Sequence, residues 1–255
     1  MRLIAAVQIE HEKAVKTVGF RNPSYIGDPF NILRILNEKG AQEIAILDIE
    51  ASKSGEINYN YIKELSEEVH IPMVYGGGIS EKSDIRLLTS LGVERFIVGQ
   101  SVFSNPNFTK SLVNLVGSSS VAFSLDILSF DVDENLEILN SKSSESLKLR
   151  LSDLFEKLID IGLSEIIIRL VDIEGSDGKN TVEIYNRLLS LLSFAKFKEH
   201  FIYLIGSGVR NLEIAQELNN GLIDGFVVGS MICRAKSSNG TLISYPKTYS
   251  VLEND

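Results

Sequence analysis

Glycine-rich blocks that follow short apolar runs are the first residues in this sequence that could do chemistry. Gly76–Gly78 and Gly206–Gly208 follow two such runs, and Gly99–Ser101 and Gly229–Ser230 follow two others. Glycine lets a ligand approach the backbone closely, and the N-terminus of a following helix offers N–H donors to a phosphate. The two pairs of blocks therefore predict a ligand that carries two phosphates, unless the glycines serve only to make tight turns.

Carboxylates at the ends of other apolar runs are candidates for proton transfer. Asp126 is our catalytic candidate, and Asp48 and Asp172 occupy similar positions. Such a carboxylate can exchange a proton with a substrate, or it can cap the next loop or pair with a lysine. Gln8 aligns with Asp126 in an internal repeat, but an amide does not exchange a proton at neutral pH. One half of a symmetric acid–base pair is therefore absent.

Four charged residues lie at the opposite ends of the apolar runs. They stand immediately before or at the start of four runs and are Arg2, Glu43, Arg95 and Glu165. Two cations and two anions there can form a mutually neutralising ring, because buried charges persist only when they are paired. The plainer interpretation is that they are four ordinary charges that face solvent.

Alternating strands and helices must position these residues. Eight short apolar runs bounded by turn residues predict strands buried on both faces. They are Leu3–Ile9, Ile44–Ile49, Met73–Tyr75, Phe96–Val98, Val121–Ile127, Ile166–Val171, Phe201–Ile205 and Phe226–Val228. The amphipathic helices predicted between them are Asp28–Lys39, Tyr59–Val69, Ser80–Leu91, Leu147–Ile161, Thr181–Ala195 and Asn211–Asn219. This alternation, without a linker in the middle, favours a closed (β/α)8 TIM barrel of the α/β class over an open doubly wound sheet.

The sequence also repeats itself, which predicts two half-barrels. The blocks Val7–Ile9, Asp48–Ser52 and Gly76–Gly78 recur in the same order, at offsets of 118, 124 and 130 residues. Three sequence blocks that recur in the same order rarely arise by chance and indicate that one half of the chain duplicates the other. We therefore expect one barrel domain over residues 1–255, with half-barrels at about 1–118 and 119–240 and a C-terminal tail at 241–255.

Composition excludes several classes of protein. The 255 residues carry a formal net charge of −9, which gives no general attraction to nucleic acid or to anionic membranes. The chain has no apolar run long enough to span a bilayer and no signal-peptide pattern, so we expect a cytoplasmic protein. Its single cysteine and three histidines show no ligand spacing, so we expect no metal and no cofactor.

With these residues assembled, the sequence resembles the HisF family, the cyclase subunit of imidazole glycerol phosphate synthase. The resemblance covers nearly the whole chain and rests on the segments from Gly27 to Glu43 and from Leu47 to Ile49, the block Tyr75–Ile79, and Asn105-Pro106. It implies a barrel of two fused half-barrels that partners a HisH-like glutaminase subunit. In that family, ammonia enters through a charged gate in the barrel floor. It then reaches a bisphosphorylated ribulosyl substrate at the top, where a lyase-cyclisation forms the imidazole.

The resemblance also implies roles for individual residues. The four charged residues at the strand starts match the ammonia gate, with Arg95 where a lysine is usual. Asp126 matches one catalytic aspartate, and Lys16 matches a lysine on the mobile loop after the first strand. The positions that match the phosphate-binding residues are Gly77, Gly78, Gly99, Gln100, Gly206, Gly208, Gly229 and Ser230. Gln100 stands where the family often has a threonine, which weakens the first phosphate site.

Gln8 is the decisive departure, because it occupies the position of the family's other catalytic aspartate. A neutral amide can hold a substrate but cannot act as a general base. The loop Glu10–Lys13 and the acidic, serine-rich segment Leu128–Ser146 also differ from the family. This combination resembles a diverged branch that is found with sugar amidotransferases of surface-polysaccharide synthesis. The resemblance implies that barrel and glutaminase supply ammonia there for forming an acetamidino group on a sugar.

Three functions stay open on the sequence alone. The first is the ammonia-conducting partner just described. The second is an active cyclase of histidine biosynthesis that uses Asp126 and another residue. The third is a phosphosugar isomerase of the related phosphoribosyl-isomerase barrels. Such an isomerase would need acids at the ends of the first and fifth strands, and Gln8 at the first of these positions is not an acid.

Overall fold

The structure is a computed structural model, and it describes most of the chain. The described residues are 1–140, 143, 145–176, 180–219, 221–237, 240–243 and 245–246. Most of the predicted C-terminal tail, and three residues of the segment Leu128–Ser146, lie outside them.

Strands and helices alternate along the described chain. The first half contains β1 (Arg2–Glu10), β2 (Lys13–Val18), β3 (Arg21–Gly27), α1 (Pro29–Glu38), β4 (Ile44–Asp48), α2 (Ile49–Ser54), α3 (Tyr59–Glu67), β5 (Met73–Gly76), α4 (Lys82–Ser90), β6 (Val93–Val98), α5 (Ser101–Ser104) and α6 (Pro106–Val116). The second half contains β7 (Val121–Phe130), β8 (Asn135–Leu139), β9 (Ser146–Arg150), α7 (Leu151–Ile161), β10 (Glu165–Leu170), α8 (Thr181–Phe194), β11 (Ile202–Ile205), α9 (Leu212–Leu218), β12 (Gly225–Val228), β13 (Cys233–Ser237) and β14 (Gly240–Ile243).

Eight of the strands close into a parallel barrel, which confirms the predicted TIM barrel. Going around the barrel, the order is β1, β4, β5, β6, β7, β10, β11 and β12, and β12 pairs with β1. Each of the eight predicted strands is present, with bounds that shift by at most three residues at either end. Because parallel strands point the same way, their carboxyl ends meet on one face of the barrel and their amino ends on the other.

Local sequence signals explain how the surrounding helices begin and pack. Helix α1 follows the predicted Asp-Pro start, since the Asp28 side chain accepts a hydrogen bond from the Phe30 N–H and proline occupies the first turn. Its apolar face, which includes Leu33 and Leu36, is fully buried against the barrel. Spacing of apolar residues at helical period therefore places the helices outside the sheet.

The predicted helix Leu147–Ile161 is wrong in its first four residues. Residues 146–150 form β9, and the helix begins at Leu151. In this stretch Leu147 and Leu149 alternate with Lys148 and Arg150, which is a strand period, and β9 pairs with β8 in an antiparallel ladder. The sequence analysis also missed three helices, α2, α5 and α6.

Two antiparallel ribbons extend the barrel at its carboxyl-end face. Strand β1 continues into β2 and β3, and β7 continues into β8 and β9. We call residues 13–27, which form β2 and β3, the first ribbon. After β12, the described residues contain a hairpin of β13 and β14 where a helix would complete the barrel repeat. Beyond it, the buried Tyr245 hydroxyl donates to the Leu3 carbonyl at 2.8 Å.

Among the described residues, none of the helices has both the length and the apolar character that a membrane-spanning segment requires.

Candidate functional site

A cavity of about 420 Å³ opens at the carboxyl ends of the barrel strands. Residues from seven of the barrel strands, Gly206 directly after β11, and residues of the first ribbon line it. Both pairs of predicted glycine blocks contribute to this one cavity, as do Gln8, Lys16, Asp48 and Asp126. Its size suits a small phosphorylated metabolite.

Asp126 lies in this cavity but is engaged by another side chain. Arg169 donates from Nε to Oδ1 and from Nη2 to Oδ2, both at 2.7 Å. The Ser124 hydroxyl donates to the same Oδ1 at 3.1 Å. Both carboxylate oxygens are therefore occupied by a bidentate, charge-assisted pair. The sequence analysis missed Arg169, although the inward-facing period of two on β10 would have found it.

Asp48 serves a structural purpose at the end of β4. Its Oδ1 accepts from the Ala51 N–H at 2.8 Å and so caps α2, while its Oδ2 accepts from the Tyr75 hydroxyl at 3.1 Å. Burial raises the pKa of Asp48, and the bonds from Ala51 and Tyr75 offset part of that rise. This is the capping alternative that the sequence left open.

Asp172, which the sequence analysis predicts as an acid of the active face, is exposed and does not line the cavity. Glu174, two residues further on, occupies that place and is 8% exposed. Its Oε1 accepts from the Thr17 hydroxyl and its Oε2 from the Phe20 N–H, each at 3.0 Å. The short 3₁₀ turn Val171–Ile173 rotates the chain between the two acids, a detail that the sequence pattern did not show.

Gln8 and Lys16 face the cavity from β1 and β2. The Gln8 Nε2 donates to the Thr17 Oγ1, and the Thr17 N–H donates to the Gln8 Oε1, both at 3.3 Å. The amide thus ties β1 to the first ribbon. Lys16 lies close enough to Cys233 for its charge to act on the thiol, but burial dominates there and raises the Cys233 pKa to about 11.

The glycine blocks lead into different kinds of secondary structure. Gln100 occupies the N-cap position of the four-residue helix α5 without a side-chain capping bond, so Gly99–Ser101 leads directly into a helix. After Gly76–Gly78 and Gly206–Gly208 the next helices begin several residues later, and Gly229–Ser230 leads into the turn before β13. Three of the four blocks are thus followed by a helix, directly or after a few residues, and Gly229–Ser230 is followed by a turn.

Close packing accounts for some of these glycines. At Gly77 a Cβ would overlap the backbone of Asp48, and at Gly78 it would crowd Ala51, while both residues have positive φ. A side chain at either position would displace the loop that follows β4. Their conformational role is thus independent of any phosphate.

The four charged residues at the strand starts form a closed ring in the barrel floor. Arg2 donates to Glu43 at 2.8 Å and to Glu165 at 2.6 Å, while Arg95 donates to each of the same two carboxylates at 2.7 Å. We call this set the floor ring. The Glu165 side chain is only 2% exposed. The ring carries two positive and two negative charges, so its net charge is zero.

An apolar layer separates the floor ring from the cavity. The alternation of strand side chains places Glu165, Ile167 and Arg169 of β10 at successive levels of the interior. We call the cluster of buried apolar residues between the two ends the middle level; it takes two inward positions from β1, and its members are Ile4, Ala6, Ala45, Val74, Ala122, Ile167, Leu204 and Val227. The barrel interior therefore has three levels, namely a charged floor, an apolar middle and a polar top.

Within the part of the chain that the structure describes, no three His, Cys, Asp or Glu side chains come together in a group that could hold a metal ion.

Comparison with known proteins assigns the chain to a family. The sequence pattern of the family described as "Histidine biosynthesis protein" matches residues 2–238. A relative from Leptospira borgpetersenii is 34% identical over 250 residues, which cover 96% of this chain and 94% of the relative. A relative from Leptospira interrogans is 29% identical over 246 residues, with 96% and 94% coverage. A relative from Vibrio vulnificus is 26% identical over 246 residues, with 96% and 92% coverage. All three bear the provisional name of imidazole glycerol phosphate synthase subunit HisF.

Proposed function

The chain belongs to the histidine biosynthesis protein family, and from this membership we propose that it is a HisF-like subunit that pairs with a glutaminase and conducts ammonia through its barrel. The observation that carries the proposal is a contrast between the two ends of the barrel. The floor ring is complete and fully paired, whereas Gln8 is a neutral amide and Asp126 is bound to Arg169. The barrel therefore keeps the charged ring through which ammonia would enter, but it lacks a pair of free carboxylates for the proton transfers of cyclisation.

The three interior levels suit a conduit for neutral ammonia. An ammonium ion would be strongly disfavoured in the apolar middle level, because it would lose its hydration without gaining a partner there. Neutral ammonia loses far less hydration free energy on entering this level, because it carries no charge. Ala6, Ala45 and Ala122 give this level short side chains on three of the strands, which favours passage of a small molecule. The floor ring would then admit ammonia from a glutaminase docked below it.

Each of the three described carboxylates that line the cavity, Asp48, Asp126 and Glu174, already has hydrogen-bond or ion-pair partners. Gln8 cannot accept a proton at neutral pH, and a substrate could use Asp126 only after its pair with Arg169 is broken. Asp48 has both oxygens committed to Ala51 and Tyr75. We therefore propose that the ammonia is used by another protein. By resemblance to the diverged branch, that protein is a sugar amidotransferase of surface-polysaccharide synthesis.

Direct binding to the HisH-like glutaminase of the same organism tests the pairing. We expect a complex with Kd of about 1 μM or tighter, and faster glutamine hydrolysis in the complex. Ile202 lies beside Glu165 in the floor and is 40% exposed, so Ile202→Glu should weaken binding at least about tenfold by placing a charge in an apolar contact.

Val132→Glu is the matched control, because Val132 is 82% exposed on the ribbon at the opposite end of the barrel. It should leave the affinity unchanged. The pairing would be refuted if no complex forms at tens of micromolar protein, and docking on the floor would be refuted if both variants bind alike.

A second candidate is an active cyclase of histidine biosynthesis. Two features favour it, since both pairs of glycine blocks line one cavity and Asp126 is in place. The names of the relatives agree with it. Product formed by the unmodified protein from the bisphosphorylated ribulosyl substrate and ammonium salt would establish this alternative.

A further inference from the structure

Arg169 has contacts that ammonia conduction does not require. It lies on β10 directly opposite Asp126 of β7 in the parallel register. Beyond the two 2.7 Å bonds to Asp126, its guanidinium carbon lies 4.5 Å from the centre of the Phe20 ring. This cation–π contact reaches from the barrel wall to the tip of the first ribbon.

The methylene groups of the Arg169 side chain also have close neighbours, because they pack against Gly206. A Cβ at Gly206 would come within 2.8 Å of the Arg169 Cγ and 3.2 Å of its Cδ. A side chain at position 206 would therefore push the stem away from its course across the cavity. Gly206, predicted as a phosphate residue, thus has a second reason to be glycine, because it makes room for Arg169.

Glu174 holds the tip of the first ribbon from the same side of the barrel. Besides its carboxylate bonds to Thr17 and Phe20, its carbonyl accepts from the Gly19 N–H at 2.9 Å. Phe20 itself has φ of 58°, which a bulky side chain rarely adopts. Such a conformation persists only where surrounding contacts fix it. The ribbon tip is therefore held at its backbone by Glu174 and at its ring by Arg169.

We infer that Arg169 is a positioning residue that holds the first ribbon closed over the cavity, and that its ion pair with Asp126 sets its position for this role. Asp126 fixes the guanidinium, and the guanidinium fixes Phe20. In this arrangement Asp126 works as an anchor for the ribbon rather than as a proton-transfer group. The inference concerns the isolated subunit and does not depend on ammonia conduction or on a glutaminase.

Two measurements on the full chain report ribbon opening. Because the chain contains no tryptophan, Phe20→Trp introduces a single tryptophan at the ribbon tip, and quenching of its selectively excited fluorescence by iodide reports exposure. In the protein with native Phe20, tryptic cleavage at Lys16 and Arg21 of the ribbon reports the open population. Arg169→Met removes the guanidinium but retains methylenes over Gly206, and Asp126→Asn removes the charge with little change of shape.

We expect each substitution to raise iodide quenching and ribbon cleavage by about threefold or more, and the double variant to resemble either single variant, because both remove one shared contact. Glu174→Gln is the matched control, since it weakens the separate hold on the backbone and its effect should add to that of Arg169→Met. Iodide quenching and ribbon cleavage of Arg169→Lys should lie between the values for Arg169→Met and those for the parent protein. A purely structural role would lower the midpoint of thermal unfolding without opening the ribbon.

Either of two results would overturn the inference. The first is unchanged quenching and cleavage in Arg169→Met. The second is an open ribbon in Arg169→Met together with a closed one in Asp126→Asn, which would show that Arg169 acts without Asp126. If Phe20→Trp disturbs folding, the cleavage rates of proteins with native Phe20 decide the question.

Discussion

Replacing Glu165 by glutamine is expected to lower the free energy of unfolding by about 3 kcal/mol, because it leaves two arginines with one carboxylate in the floor ring. Glu165 is 2% exposed and accepts from both Arg2 and Arg95. This loss of stability lies at the lower end of the range for breaking a buried ion pair. The reason is that the Arg2 side chain is 36% exposed and can turn toward solvent. Urea unfolding of parent and variant measures the difference.

Two further variants make this expectation specific to the floor ring. Glu94→Gln removes an exposed carboxylate next to Arg95 on β6, and it should change stability by less than about 0.5 kcal/mol. Adding Arg95→Met to Glu165→Gln leaves the neutral pair of Arg2 and Glu43, so the double variant should be more stable than Glu165→Gln alone. Equal losses in Glu165→Gln and Glu94→Gln would show that the ring is ordinary surface charge.

The largest expected effect on activity requires two substitutions together. Gln8→Asp alone restores a carboxylate, but Asp126 stays bound to Arg169, so we expect no cyclisation above background. With Arg169→Met added, both carboxylates become available, and the first ribbon, which this substitution loosens, is still held over the cavity by the bonds of Glu174 to Thr17 and Phe20. Cyclisation of the bisphosphorylated ribulosyl substrate with ammonium salt should then rise by about 10²–10⁴-fold, the usual contribution of general acid–base catalysis.

The triple variant with Asp126→Asn is the control for this gain, because it removes the released carboxylate again and should return to background. Circular dichroism of each variant establishes that its fold is intact. The interpretation fails if Gln8→Asp alone matches the double variant, since Arg169 would then be no barrier. It also fails if the double variant is folded but shows no more cyclisation than the parent protein.

Most of the barrel could be predicted because its strands are short, apolar and bounded by turns. The eight strands are predictable for this reason, whereas the ribbons are not, because β3 and β9 contain no buried residue and lie outside the barrel core. Helix α6 illustrates a signal that was present but unused. Asn105 caps it by accepting from the Phe108 N–H, and Pro106 opens the first turn, as in the Asp-Pro start that identified α1.

The site was predictable in its positions but not in its pairings. Position at the end of a strand placed Asp126 on the cavity side, and position at the start of a strand placed Glu165 in the floor, yet the partner of Asp126 depends on β10 lying next to β7 in register. Such a contact between residues 43 positions apart leaves no local pattern in the sequence. Asp172 failed for a similar reason, because one 3₁₀ turn decides whether it or Glu174 faces the cavity.

One assay of the mixture of this protein with the HisH-like glutaminase tests the account most directly. The mixture receives glutamine and the bisphosphorylated ribulosyl substrate, and glutamate and imidazole glycerol phosphate are measured in the same samples. We predict glutamate at a rate above that of the glutaminase alone, with no imidazole product. Imidazole product formed in proportion to glutamate would contradict the account and identify the chain as a working cyclase. A rate of glutamate formation equal to that of the glutaminase alone would contradict the pairing itself.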